Sequence, residues 1–195
     1  MNSQTRTYKM DARRAAAAAT RERILDVARQ AFLEGWYDEV TIGGIAKDAG
    51  VSGQTVLNHF GDKESLLMAA TQRFDTDVRS VRWAAEPGDV DGVIDALLND
   101  YEVTGDGVVR LLATEQRVPA IRPVLKRGRA GHRQWVEEMF ARPDLVLELI
   151  VATDVYAWKL LRRDQGLTRA QTADSISKTV KALLALPPKS EGTDR

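Results

Sequence analysis

Polar side chains suited to contacting nucleic-acid bases recur at helical spacing between Gly53 and His59. Gln54 and Asn58 are four residues apart and therefore share one face of a helix, while Thr55 and His59 form a second row. Glutamine and asparagine amides can pair with N6 and N7 of adenine in the major groove of DNA. Gly53 has no side chain, so a nucleic acid could approach the backbone closely there. The spacing predicts hydrogen bonding to DNA.

Two short helices must position these side chains, and the sequence shows where each begins. Thr41 and Ser52 are suited to be the N-cap residues of the two helices. Gly50 separates them, because glycine readily adopts the left-handed conformation that ends a helix. Val56 and Phe60 are four apart and face the core, which leaves the polar rows outside. The pattern is that of a helix-turn-helix.

Helical periodicity continues through nearly the whole chain, and strand signals are almost absent. A helix that ends at Gly35 precedes the motif, and a helix capped by Asp62 follows it. Further helices are predicted at roughly 90–104, 106–117, 120–140, 144–164 and 168–186. The first dozen residues and the tail are predicted to be disordered.

The segment from about Arg21 to Leu67 resembles the DNA-binding region of the TetR family of bacterial transcriptional regulators. The family pattern is T-x-x-x-I-A-x-x-x-G-V-S-x-x-T-[LV]-Y-x-H-F-x-x-K-x-x-L-L. This sequence supplies matching residues at Thr41, Ile45, Ala46, Gly50, Val51, Ser52, Thr55, Val56, His59, Phe60, Lys63, Leu66 and Leu67. Leu57 departs from it, because the family usually has a tyrosine there whose hydroxyl meets a DNA phosphate.

The resemblance implies a role for each polar residue of the motif and a set of partners. Phosphates would be held by Thr41, Ser52, Thr55, His59 and Lys63, and bases would be faced by Gly53, Gln54 and Asn58. The implied partners are double-stranded DNA with a palindromic operator, a second copy of the chain in a homodimer, and a small-molecule effector that releases a repressor. Taken alone, without the resemblance, His59 and Lys63 would be interpreted as solvated surface residues.

The predicted fold is all-α. It has an N-terminal three-helix helix-turn-helix domain and a larger helical ligand-binding and dimerisation domain, with about nine helices. The predicted segments are a basic, partly disordered arm over 1–18, the DNA-binding domain over 19–66, the ligand-binding and dimerisation domain over 67–186, and a disordered tail over 187–195.

Charge is distributed unevenly along the 195 residues, although the 28 basic and 28 acidic side chains balance overall. Residues 1–30 carry seven basic and three acidic side chains, whereas residues 31–63 carry two and five. Affinity for DNA is therefore expected to depend on the N-terminal arm and on helix N-termini.

Composition excludes several other functions. The chain has no cysteine and two histidines, so no disulfide, metal site or cysteine nucleophile is expected. No cofactor is predicted, and the phosphate-binding and nucleophile motifs of enzymes are absent. No run of about 18 apolar residues predicts a membrane span, and a cytoplasmic location is expected. The alternatives are a transcriptional activator, or a helical ligand-binding protein or enzyme with a non-functional helix-turn-helix.

The segment 144–164 is apolar nearly all round, which predicts two buried faces. One face can meet its own domain, and the other suggests a second subunit. The last helix adds a further apolar row. The predicted homodimer interface consists of Leu147, Val151, Val155, Trp158, Ile176, Val180 and Leu183.

Side chains of the middle helices are candidates for lining a small-molecule pocket, although aromatic residues at helical spacing belong to a core more often. The candidates are Trp83, Tyr101, Glu115, Trp135, Met139 and Tyr156. The run from Arg122 to Arg133 contains five basic residues and no acidic one. It indicates either a solvated helix face or a contact for an anionic ligand or partner.

Overall fold

The computed structural model describes residues 3–188, with side chains described for 10–73 and 76–188. This part of the chain forms nine α-helices and no strand, which confirms the all-α prediction. The helices are α1 (Ser3–Glu34), α2 (Ile42–Asp48), α3 (Gly53–Phe60), α4 (Lys63–Arg82), α5 (Val90–Thr114), α6 (Arg122–Phe140), α7 (Val146–Thr153), α8 (Val155–Lys159) and α9 (Arg169–Leu184). Over the same residues, no helix is both long enough and apolar enough to cross a bilayer. Residues 189–195 of the predicted tail lie outside the described residues.

The chain divides into two compact units, Met1–Phe74 and Asp75–Arg195. The first unit holds α1, α2, α3 and the start of α4. Its core is built from buried apolar residues of these helices, including Ile24, Ala28, Ile45, Val56 and Leu66. The boundary falls inside α4, later than the predicted boundary after residue 66, because α4 continues without a break to Arg82.

The first helix is longer than predicted. It runs from Ser3 to Glu34, so the arm that was predicted to be partly disordered over 1–18 is helical from Ser3 onward. No glycine or proline interrupts this segment, and the five alanines at 15–19 have the highest helix propensity of any residue. The basic side chains of Arg13 and Arg14 are exposed on this helix.

The second unit is built around α5, against which α8 and α9 pack. Two helices with a break near Gly105 were predicted, but α5 is continuous from Val90 to Thr114. Gly105 is needed for packing instead, because a Cβ atom at this position would lie 2.5 Å from the ring of Trp158. Trp158 is fully buried and lies in the core of this unit together with Trp135.

Replacing Gly105 with alanine is therefore expected to destabilise the second unit by about 1–3 kcal/mol, the usual cost of overpacking a core. Gly128, inside α6, is a matched control because no atom lies within 4 Å of a Cβ built there. Gly128→Ala should instead stabilise the protein by about 0.5–1 kcal/mol. Denaturant unfolding followed by tryptophan fluorescence measures both changes. Equal effects of the two substitutions would contradict the packing of Trp158 on α5.

The predicted helix over 144–164 is interrupted at Asp154. The backbone of Asp154 is extended, and its carboxylate Oδ1 accepts a hydrogen bond of 2.8 Å from the backbone N–H of Tyr156, which caps α8. After α8, Leu160–Asp164 forms a π-helical turn. The break directs α8 onto α5, whereas α7 packs on α6 and α9. Much of the apolar surface of this segment is therefore covered within the chain.

This burial corrects part of the predicted homodimer interface. Four of its side chains are at most 4% exposed within their own chain and cannot be offered to a partner: Val155, Trp158, Ile176 and Val180. Leu147 and Val151 are 67% and 71% exposed. Leu183 is half-buried. Periodicity shows that a face is apolar but does not show which element covers it.

The six predicted pocket residues differ in their surroundings. Tyr101, Trp135 and Met139 are buried in the core, and Tyr156 is exposed. The remaining two pair with charged groups at the surface: Trp83 donates to Glu138, and Glu115 accepts two hydrogen bonds from Arg129.

A buried ion pair links the end of α4 to α5. The Nη2 atom of Arg82 lies 2.6 Å from Oδ2 of Asp100, and both side chains are almost completely buried. Thr104 donates to the other carboxylate oxygen at 2.9 Å. The guanidinium also lies over the ring of Tyr101, 4.7 Å from its centroid. The pair is therefore compensated on several sides, as a buried charge requires.

His132 extends this network towards α7. Its Nδ1 lies 3.1 Å from Nη1 of Arg82, and its Nε2 lies 3.2 Å from the hydroxyl of Thr153. Arginine can only donate, so Nδ1 must accept, and the proton of the neutral ring is on Nε2. The Thr153 hydroxyl accepts from Nε2 and donates to the carbonyl of Leu149 at 2.7 Å. Burial, together with the charge of Arg82, lowers the pKa of His132 to about 3.

The free energy of unfolding is expected to decrease as the pH is lowered below about 6.5, the pKa of a histidine in the unfolded chain. Between that value and the folded pKa, the unfolded chain binds one more proton than the folded chain, so acid favours unfolding. The loss is up to about 1.4 kcal/mol per pH unit. Unfolding free energies of the wild type and of His132→Gln, measured from pH 7 to pH 4.5, should converge as the pH falls. Parallel profiles would contradict the buried neutral histidine.

Candidate nucleic-acid interface

Side-chain caps and a glycine define the ends of α2 and α3. The hydroxyls of Thr41 and Ser52 each accept a hydrogen bond from the backbone N–H three residues later, at 3.0 and 3.1 Å. Gly50 has a φ of 64°, in the left-handed region that glycine adopts without strain. Asp62 caps α4 in the same way, at 2.7 Å. The predicted caps and the glycine turn are all confirmed.

Helix α3, the second helix of the helix-turn-helix, buries one side and exposes the other. Val56 is fully buried and Phe60 is half-buried, so this row anchors the helix on the core of the first unit. Gln54 and Asn58 are exposed on a different face. A Cβ at Gly53 would meet no atom within 4 Å, so the first turn of α3 has an open surface. This arrangement suits insertion of the helix into a major groove.

The two exposed amides are coupled to each other. Nε2 of Gln54 donates to Oδ1 of Asn58 at 2.9 Å. The oxygen of Gln54 and the amino group of Asn58 remain available for other partners. The pair therefore presents one acceptor beside one donor, the complement of the N6 donor and N7 acceptor of adenine.

Three of the residues predicted to contact phosphates, Thr41, Ser52 and Thr55, lie at helix N-termini. The hydroxyls of Ser52 and Thr55 lie 2.8 Å apart at the N-terminus of α3, where backbone N–H groups and the helix dipole favour an anion. The Thr41 hydroxyl occupies the corresponding position at the start of α2. His59 lies in the last turn of α3, beside Phe60, and is partly exposed.

Lys63 differs from the other candidates because its ammonium group already has partners. Nζ donates to the backbone carbonyl of Tyr37 and lies 4.1 Å from the centroid of the tyrosine ring. This partial burial lowers the pKa of Lys63. The Tyr37 hydroxyl in turn donates to Glu64 at 3.0 Å. A phosphate contact by Lys63 would use its remaining N–H groups or require the side chain to leave Tyr37.

Two arginines of α1 lie near the motif and were not identified from the sequence as candidates for contact. The guanidinium of Arg21 stacks on the ring of Phe60, 5.1 Å from its centroid, and remains exposed. Arg23 donates from Nε to the carbonyl of Ala49 at 2.9 Å, which places a positive charge at the end of α2. Their only signal in the sequence was the excess of basic residues before residue 31.

Comparison with known proteins agrees with this geometry. Residues 24–70 match the family described as bacterial regulatory proteins, tetR family. The HTH-type transcriptional regulator UidR of Escherichia coli K12 is 28% identical over 128 residues, which cover 60% of this chain and 62% of that protein. The match thus spans less than two thirds of that relative's length. The HTH-type transcriptional repressor Rv1474c of Mycobacterium tuberculosis is 40% identical over 60 residues, covering 31% of this chain and 32% of that protein.

A solved structure supports the fold over a larger part of the chain. The crystal structure of a TetR-family regulator from Rhodococcus has a TM-score of 0.68 and covers 86% of this chain and 100% of its own, at 16% identity. Together with the capped helix-turn-helix, these matches identify residues 24–70 as a segment of the tetR family of bacterial regulatory proteins.

Proposed function

We propose that this protein is a cytoplasmic transcriptional repressor that binds a palindromic operator as a homodimer and leaves it when a small molecule binds. The observation that carries the proposal is the exposed Gln54–Asn58 pair on α3, a helix whose other face is anchored in the core. Regulators of this family bind DNA and typically act as dimers with small-molecule effectors. One relative is named as a repressor.

Base recognition follows from the coupled amides. The hydrogen bond between Gln54 and Asn58 orients both groups before DNA is bound, so less side-chain entropy is lost in the complex. Thr41, Ser52 and Thr55 would hold phosphates on either side of the groove, and Arg21 would add a charge. Phosphate contacts fix the position of the helix, and the amides supply the sequence preference.

Dimerisation is proposed through the exposed face of α7. Leu147 and Val151 are four residues apart and lie on the same side of the helix. The half-buried Leu183 of α9 would extend this surface, since α9 packs against α7. A two-fold dimer places two recognition helices against two half-sites, about 34–36 Å or a multiple of that distance apart.

Release by a ligand is proposed to act through α4. This helix starts in the first unit and ends in the second, where Arg82 is tied to Asp100 and His132. A ligand that displaced the end of α4 would bind the DNA-free conformation more tightly than the DNA-bound conformation. This difference in affinity would shift the equilibrium towards the DNA-free protein. We propose the second unit as the ligand-binding and dimerisation domain.

Selection from random DNA tests the proposal. Duplexes with a random central region are incubated with the full-length protein, and the bound fraction is amplified and sequenced over several rounds. The expected result is an inverted repeat with two half-sites about one helical turn or a multiple of it apart. Recovery of sequences as diverse as the starting pool would remove the proposal of a sequence-specific regulator.

A further inference from the structure

Leu57 is an exposed apolar side chain on the recognition helix. It is 38% exposed, and among the described side chains of the first unit the other large apolar residues with comparable exposure are Met10 and Trp36, neither of which belongs to α3. Its backbone carbonyl accepts the hydrogen bond from Gly61 that ends α3. The side chain has no polar atom and can neither donate to a phosphate nor pair with a polar base edge. Leu57 does not belong to the core cluster of the first unit, in which Val56 anchors the helix.

The position of Leu57 places it beside the base-facing amides. It follows Gln54 by three residues and precedes Asn58 by one, on a regular helix from Gly53 to Phe60. Side chains three or four apart on a helix are neighbours, about 5–6 Å between Cβ atoms. Stacked bases are about 3.4 Å apart along one strand, so this spacing corresponds to between one and two base steps. When the amides face a base pair, Leu57 therefore faces the same base pair or the next.

The major groove offers one apolar group to such a side chain. An A·T pair presents N7 and N6 of adenine, O4 of thymine and the thymine C5-methyl group on the same edge, and apolar side chains recognise that methyl group. We propose that Leu57 is a specificity-determining residue that packs against a thymine methyl group, in the base pair contacted by Gln54 and Asn58 or in the adjacent one. The inference rests on the proposed function, because it requires α3 to lie in the groove of a specific site.

Replacing a thymine with uracil tests this contact by removing a single methyl group, since uracil is thymine without the C5-methyl group. The probe is the duplex selected by the wild-type protein, with each thymine of one half-site replaced in turn. Loss of the contact should weaken binding about fourfold at one thymine, which corresponds to about 0.8 kcal/mol for one buried CH₂-sized group. Substitution at the other thymines should have a smaller effect.

Two variants test whether the Leu57 side chain causes the preference for thymine over uracil. Leu57→Ala should bind the thymine and uracil duplexes equally, whereas Leu57→Met, which keeps an apolar side chain of similar volume, should retain the preference for thymine. Val81→Ala is a matched control, because Val81 is also 38% exposed but lies on α4. It should keep the full wild-type pattern.

The outcomes separate the inference from the function on which it rests. If no thymine is sensitive to uracil, or if the sensitive thymine remains sensitive in Leu57→Ala, the proposed contact is wrong although sequence-specific binding stands. Equal weakening of all duplexes by Leu57→Ala would likewise overturn it, because this places the side chain on the DNA backbone. Failure to select any duplex would instead remove the proposed function itself.

Discussion

Asp100→Ala is expected to lower the free energy of unfolding of the second unit by about 3–5 kcal/mol, the usual cost of leaving one partner of a buried ion pair without the other. Arg82 is almost completely buried, and Asp100 is its anionic partner in the network that joins α4 to α5. Without the carboxylate, the guanidinium would remain in the interior facing His132 and aromatic rings. Water cannot compensate the charge there as it does at the surface.

Denaturant unfolding followed by tryptophan fluorescence measures this effect, because three of the four tryptophans lie in the second unit. Glu137→Ala is the matched control: Glu137 pairs with Arg133 at 2.9 Å on the exposed face of α6. Its loss should cost less than about 1 kcal/mol. The double variant Arg82→Met/Asp100→Leu should be more stable than Asp100→Ala alone, since it removes the stranded charge. Similar losses for Asp100→Ala and Glu137→Ala would contradict the buried pair.

Placing a charge on the exposed face of α7 is expected to abolish dimerisation and, with it, tight binding to the selected duplex. Val151→Asp would bury an unpaired carboxylate between two subunits, at a cost of roughly several kcal/mol. Each 1.4 kcal/mol is about a tenfold change, so the dimerisation constant should fall at least a hundredfold. Because Val151 is 71% exposed in the isolated chain, the fold should survive the substitution.

At micromolar protein concentration, sedimentation measures dimerisation, and DNA titration measures the affinity for the selected duplex. Val103→Asp provides the control, because Val103 is 69% exposed but lies on α5, outside the proposed interface. It should leave both the dimer and the DNA affinity intact. A Val151→Asp protein that remains dimeric, or a wild-type monomer that binds the palindrome tightly, would rule out dimerisation through α7.

The helix-turn-helix could be predicted closely from the sequence because its signals are local. Thr41 and Ser52 cap helices through bonds to amides three residues away, and Gly50 ends one helix by its own conformation. Val56 and Gln54 differ in burial because they lie on opposite sides of one short helix. None of these features depends on a distant part of the chain.

The second unit could not be predicted as well because its arrangement depends on contacts between distant residues. Gly105 resembles a helix breaker until Trp158, more than fifty residues later, is placed against it. Val155 and Val151 look equivalent in the sequence, yet the break at Asp154 buries the first and exposes the second. Arg21 likewise comes near α3 only when α1 packs beside it.

The affinity of the wild type, Gln54→Ala and Asn58→Ala for the selected duplex, and for duplexes changed at each base pair in turn, tests most directly whether α3 recognises DNA bases. The predicted result is a loss of about 1–3 kcal/mol for each variant on the selected duplex, with discrimination lost at the same one or two base pairs because the two amides act as a coupled pair. Gln116→Ala, which removes an exposed amide in the second unit, should match the wild type. If both variants of α3 kept the wild-type preference at every base pair, the coupled amides would not contact the bases and the central claim would be wrong.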